Sequence, residues 1–119
     1  MPELKKYQMF IDGQWVDSDT KKTFETLNPE NNKPWAVVPE ASANDVDRAV
    51  KAAQKAFEGE WPKMLARDRA KYLRAIGNKL RENSKLLGKI ETIDTGKLYR
   101  ETYQQAKYIA EYYLSLIHI

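Results

Sequence analysis

Val38-Pro39-Glu40-Ala41-Ser42-Ala43-Asn44-Asp45-Val46-Asp47-Arg48-Ala49-Val50-Lys51-Ala52-Ala53 is where the chain changes period. Before it, apolar residues alternate as in short strands. From Val46 onward they recur every three and four residues, with Val46, Ala49, Val50, Ala53 and Phe57 on one face of a helix. Ser42 with Asp45 three places later forms a capping-box-like start. Pro39 closes the strand before it, and Gly59 stops the helix near Phe57. Asp47, Arg48, Lys51 and Lys55 fall on the opposite side.

Upstream, residues 7–17 read as a hairpin. Asp12-Gly13 suits a two-residue type I′ turn, and Phe10, Ile11, Trp15 and Val16 are β-formers on either side. A polar loop from Asp17 to Lys22 follows, then Thr23-Phe24-Glu25-Thr26-Leu27, which alternates like a strand with one buried face. Asn28-Pro29 and Glu30 to Lys33 are turn chemistry, and Trp35 to Val38 form another short strand.

Downstream of Trp61-Pro62 a longer helix is expected to begin between Leu65 and Asp68, with Leu73, Ile76 and Leu80 as its stripe. Asn83 is expected to cap a further segment carrying Leu86, Leu87, Ile90 and Ile93, ended by Gly96 in a left-handed conformation. A last amphipathic helix runs from about Tyr99 to Tyr113, with Ala106, Ile109, Ala110 and Tyr113 on one face. The fold class is therefore α+β: short antiparallel strands and a hairpin, then three or four amphipathic helices.

Composition narrows the chemistry. The 119 residues contain no cysteine, which removes disulfides, thiolate zinc sites and any cysteine nucleophile from this chain. The single histidine, His118, leaves no Ser-His-Asp triad or histidine metal cluster. The net charge of +3 comes from scattered lysines and arginines interleaved with acids, a solvated surface and no nucleic-acid face. No apolar run approaches the roughly 20 residues of a membrane span. Met1 to Lys6 has no apolar segment behind its lysines, so a cytoplasmic location is expected.

In order along the chain, several segments resemble the N-terminal part of the NAD(P)-dependent aldehyde dehydrogenase superfamily. Phe10-Ile11-Asp12-Gly13-Gln14-Trp15-Val16 is similar to the family's opening hairpin, and Thr23 to Pro29 to its second strand and Asn-Pro turn. Val38 to Ala53 with Ala56-Phe57 resembles its first helix. Trp61, Arg69 and Glu91-Thr92-Ile93-Asp94-Thr95-Gly96-Lys97 resemble the helix pair that follows. Lys33-Pro34-Trp35-Ala36 and Tyr108 to Tyr113 are similar to a bacterial branch acting on assorted small aldehydes, which fixes no substrate. The resemblance spans about residues 8–113.

The resemblance implies an enzyme that oxidises an aldehyde to a carboxylic acid with NAD or NADP. A cysteine thiolate forms a thiohemiacetal, hydride passes to the nicotinamide, and a glutamate-activated water releases the acid. None of those parts is carried by this chain. It has no cysteine, and Gly13, Gly59, Gly77, Gly88 and Gly96 are too far apart to cradle a pyrophosphate. No catalytic and no cofactor-binding residue is assigned. The family's monovalent cation site implies one metal position, with ligands at Thr26, Leu27 and Asp94. The expected partners are the remainder of a dehydrogenase chain and, in the parent enzyme, further copies of it.

Residues 1–113 are thus expected to be an incomplete part of a cofactor-binding domain, inactive alone. Leu114-Ser115-Leu116-Ile117-His118-Ile119 matches one reading frame of a common transposon-end adaptor and is expected to be a non-native tail that breaks the helix. The alternative is a genuine small protein that binds a partner, such as a dehydrogenase subunit, without catalysis.

Overall fold

A computed structural model describes residues 4–115. It divides into two units, Met1–Lys63 and Met64–Ile119.

In the first unit, β2 (Met9–Ile11) pairs antiparallel with β3 (Gln14–Val16), placing Phe10 opposite Trp15. Asp12 and Gly13 between them have φ of 50° and 77°, as a type I′ turn requires. A second sheet has the order β1-β5-β4, from β1 (Lys5–Lys6), β4 (Thr23–Asn28) and β5 (Lys33–Pro39). β4 and β5 form an antiparallel hairpin. The Asn28 side chain accepts from the Glu30 amide at 2.9 Å, and Asn32 takes a positive φ of 55°. The parallel pairing of β1 with β5 had no sequence signal. Two lysines are poor strand formers, and only the Lys5–Ala36 and Lys6–Val37 register makes them a strand.

The one buried face expected for Thr23 to Leu27 is not found: Phe24 and Leu27 are exposed, and only Thr26 and Asn28 are partly covered. The sheet's buried residue is Ala36.

α1 (Ala43–Glu58) starts at a complete capping box between Ser42 and Asp45. Gly59 caps it with φ of −85°, so this stop uses no left-handed glycine. A single 3-10 turn, Trp61–Lys63, ends the unit. The expected apolar face of α1 forms but is not buried. Val46, Val50 and Phe57 are 54%, 61% and 67% exposed.

The second unit contains α2 (Ala66–Glu82), α3 (Ser84–Thr95) and α4 (Tyr99–Ser115). Asn83 makes no side-chain cap on α3. Its Nδ2 donates instead to the Lys79 carbonyl at 2.9 Å, so it closes α2. Gly96 ends α3 with φ of 75°, as expected. α4 packs on its neighbours through small residues: Thr102, Ala106 and Ala110 are buried against α2 and α3. A Cβ on Gly77 would lie 3.1 Å from the Ala110 carbonyl oxygen, and one on Gly88 2.8 Å from the Tyr103 backbone. The expected break before Leu114 is not observed, because α4 continues through Ser115 and Leu114 lies over Gly77. Residues 116–119 of the expected tail lie outside the described residues.

Candidate functional site

Thr26 and Leu27 sit at a break in the β4–β5 ladder. Thr26 pairs with Ala36 and Leu27 with Pro34, so Trp35 is the extra residue. A bulge of this kind re-aims backbone groups away from regular pairing. Pro34 strengthens the effect, since it brings no N–H to the ladder. Thr26 and Leu27 are the positions to which the resemblance gave carbonyl ligands of a monovalent cation.

Asp94 lies in the last turn of α3, exposed, beside a cavity of about 380 Å³ shared with Ile90, Glu91, Thr95 and Ile109. Glu91, one turn earlier, pairs with Lys97 at 2.8 Å. Thr95 donates to the Glu91 carbonyl at 2.7 Å, and Gly96 donates to the Thr92 carbonyl at 2.9 Å. These bonds hold the end of α3. Thr26 and Leu27 belong to the first unit and Asp94 to the second. Backbone carbonyls and a carboxylate are hard oxygen donors, so the residue types suit Na⁺ or K⁺. Among the described residues no three His, Cys, Asp or Glu side chains converge.

Sequence reasoning recognised Asp45 as a helix cap and missed that it is a buried hub. The residue is 1% exposed. It accepts from the Ser42 amide at 3.0 Å and the Ser18 hydroxyl at 2.8 Å, and it pairs with Arg48. The Asp19 amide reaches both of its oxygens at 3.3 Å. The Ser42 amide above all, with Ser18, Arg48 and Asp19, holds the Asp45 carboxyl well below the ordinary carboxylate range, against the opposing cost of burial. Asp19 is lowered too, by the Asn44 side chain and by Ser42. The polar loop of residues 17–22 is thereby tied to the start of α1. Such a cluster ties the loop and the helix start together through one buried carboxylate.

A second cavity, about 480 Å³, lies in the first unit beside Lys6, Tyr7, Asp17 and Lys22. Gln8, and then Lys21, hold the Asp17 carboxyl below its usual value. The buried Tyr7 hydroxyl and Trp35 indole N–H find no hydrogen-bond partner among the described residues. Among the described residues, Gly13 lies in the β2–β3 turn, Gly59 and Gly96 follow α1 and α3, and Gly77 and Gly88 lie within α2 and α3.

Comparison with known proteins follows the same outline. The sequence model of the Aldehyde dehydrogenase family matches residues 15–118. The chain is 41% identical over 101 residues to Aldehyde dehydrogenase family 2 member C4 of Arabidopsis thaliana, covering 84% of this chain and 20% of the relative. It is 45% identical over 94 residues to the human Mitochondrial 10-formyltetrahydrofolate dehydrogenase, covering 78% of this chain and 10% of that one. Among solved structures, a Staphylococcus aureus betaine aldehyde dehydrogenase in complex with NAD+ superposes with a TM-score of 0.89 at 38% identity, over 93% of this chain and 22% of that one. An NAD-dependent aldehyde dehydrogenase from Sinorhizobium meliloti superposes with a TM-score of 0.93 at 29% identity, over 98% and 24%. The chain spans about a fifth of the length of most of these relatives. By sequence match and by fold, the chain belongs to the aldehyde dehydrogenase family.

Proposed function

We propose that this chain is the N-terminal segment of an NAD(P)-dependent aldehyde dehydrogenase, with residues 1–113 forming part of the cofactor-binding domain and residues 114–119 a non-native tail. One observation carries this reading. The chain follows the fold of an NAD-bound relative along 93% of its own length while spanning 22% of the relative, and it contains no cysteine. In the intact enzyme an aldehyde is oxidised to its acid through a cysteine-bound intermediate, and NAD or NADP takes up the hydride. This segment supplies strands and helices to that assembly and no reacting group, so alone it is inactive. Thr26, Leu27 and Asp94 contribute to a monovalent cation site there. The parent is cytoplasmic and homo-oligomeric. Among the described residues no helix is long and apolar enough to cross a membrane.

The test is to read the genomic DNA downstream of the Tyr113 codon from an independent amplification. An in-frame continuation carrying a glycine-rich strand-turn-helix, a cysteine and a later glutamate supports the reading. A stop codon directly after Ile119 overturns it and favours a small partner-binding protein. Purified residues 1–119 are expected to form no NADH or NADPH with any aldehyde tested.

A further inference from the structure

α1 lies in its unit the wrong way round for a helix packed by its apolar face. Its polar side is turned toward the β2–β3 hairpin. Arg48, Lys51, Ala52 and Lys55 line a shallow cavity together with Ile11 and Val16, and Lys55 approaches Asp12 at 3.9 Å. Asp45 is buried on the helix. The stripe Val46, Val50, Ala53 and Phe57, spaced four, three and four residues apart, is exposed throughout. A contiguous apolar stripe on a helix whose orientation is locked by a complete capping box and a buried carboxylate marks an interaction surface.

We infer that this stripe is the docking seam for the C-terminal part of a dehydrogenase chain, and that it binds that part even when supplied as a separate polypeptide. The inference rests on the functional reading above. The occupant follows from proportion: the relatives carry about four-fifths of their length beyond the region matched here, and the match itself spans the whole of α1. Docking in trans follows from the local character of α1. Its start is fixed by Ser18, Ser42 and Arg48, all within the first unit, so the stripe is presented before any partner arrives. A surface already arranged for binding loses less ordering entropy on association.

The experiment co-expresses the tagged 119-residue chain with the polypeptide encoded downstream of it and measures capture and affinity. The wild-type chain should capture the downstream polypeptide. Val50→Asp should bind at least tenfold more weakly, and Phe57→Ser, in the last turn, should weaken binding in the same direction. Lys51→Ala, on the opposite side, should bind as wild type does. Circular dichroism of each chain alone verifies that helix content is kept. If Val50→Asp loses helix, the decision passes to Phe57→Ser. Failure of the wild-type chain to capture the segment overturns docking in trans. Equal capture by wild type and the helical stripe variants overturns the assignment of the stripe. If the downstream DNA encodes no dehydrogenase segment, the functional reading itself falls.

Discussion

The Thr102 hydroxyl donates to the Gly88 carbonyl oxygen at 2.9 Å, joining α4 to α3 at a point where Gly88 has no room for a side chain. The Thr92 hydroxyl lies 2.9 Å from the same Thr102 oxygen. Thr102 is fully buried, so its hydroxyl needs these partners. Replacing Thr102 with valine keeps the shape and removes the bond, and should cost about 1 kcal/mol in thermal or urea unfolding of the helices. A Thr102→Val chain as stable as wild type would show that the hydroxyl contributes nothing net.

Gly88→Ala should cost more. The new methyl would meet the Tyr103 Cα and amide nitrogen at 2.8 Å, and both are backbone atoms that move only if the helices separate. A loss of about 1–3 kcal/mol is expected from overpacking. Gly77→Ala, facing the Ala110 carbonyl oxygen at 3.1 Å and the movable Leu114 side chain, should be milder. The order of the two unfolding midpoints is the readout.

Asp45 sets the acid sensitivity of the first unit. Its folded-state carboxyl titrates below the unfolded value, chiefly because of the Ser42 amide. Its contribution is therefore complete above the ordinary carboxylate range, near pH 4. It is lost as the pH falls from there toward the folded-state value. The stability gap between wild type and Asp45→Asn should be widest at neutral pH and shrink steadily below about pH 4. A gap that stayed constant down to pH 2 would contradict this origin. Ser42→Ala, which removes one half of the capping box, should cost about 0.5–2 kcal/mol.

Gly13 isolates the price of a backbone angle. Its φ is +77° and nothing lies within 4 Å of an added Cβ, so Gly13→Ala meets strain but no clash. A loss of about 1–2 kcal/mol is expected. Tryptophan fluorescence, which senses Trp15 beside Phe10 at a ring separation of 4.9 Å, reports whether the hairpin stays paired.

Local signals in the sequence determined the elements. The Asp12-Gly13 turn, the Ser42–Asp45 box, the left-handed Gly96 and the helical stripes each act over a few residues, so neighbouring residues suffice to read them. The ordered segments also carried the family resemblance, which the match over residues 15–118 bears out. Tertiary structure decided what those elements bury. Apolar periodicity placed Val46, Val50 and Ile76 on apolar helix faces, and all three are exposed. Among the described residues, the first unit buries Ala36, Ser18 and Asp45, and the second buries Ala106, Ala110, Ser84 and Thr102. Periodicity tells which face seeks cover, but not which other element supplies it. The pairing of Lys5–Lys6 with β5 and the ladder break at Thr26–Leu27 depend on strand register between segments distant in sequence. The bonds from Ser18 and Asp19 to Asp45 likewise span more than twenty residues, a distance no local pattern reads.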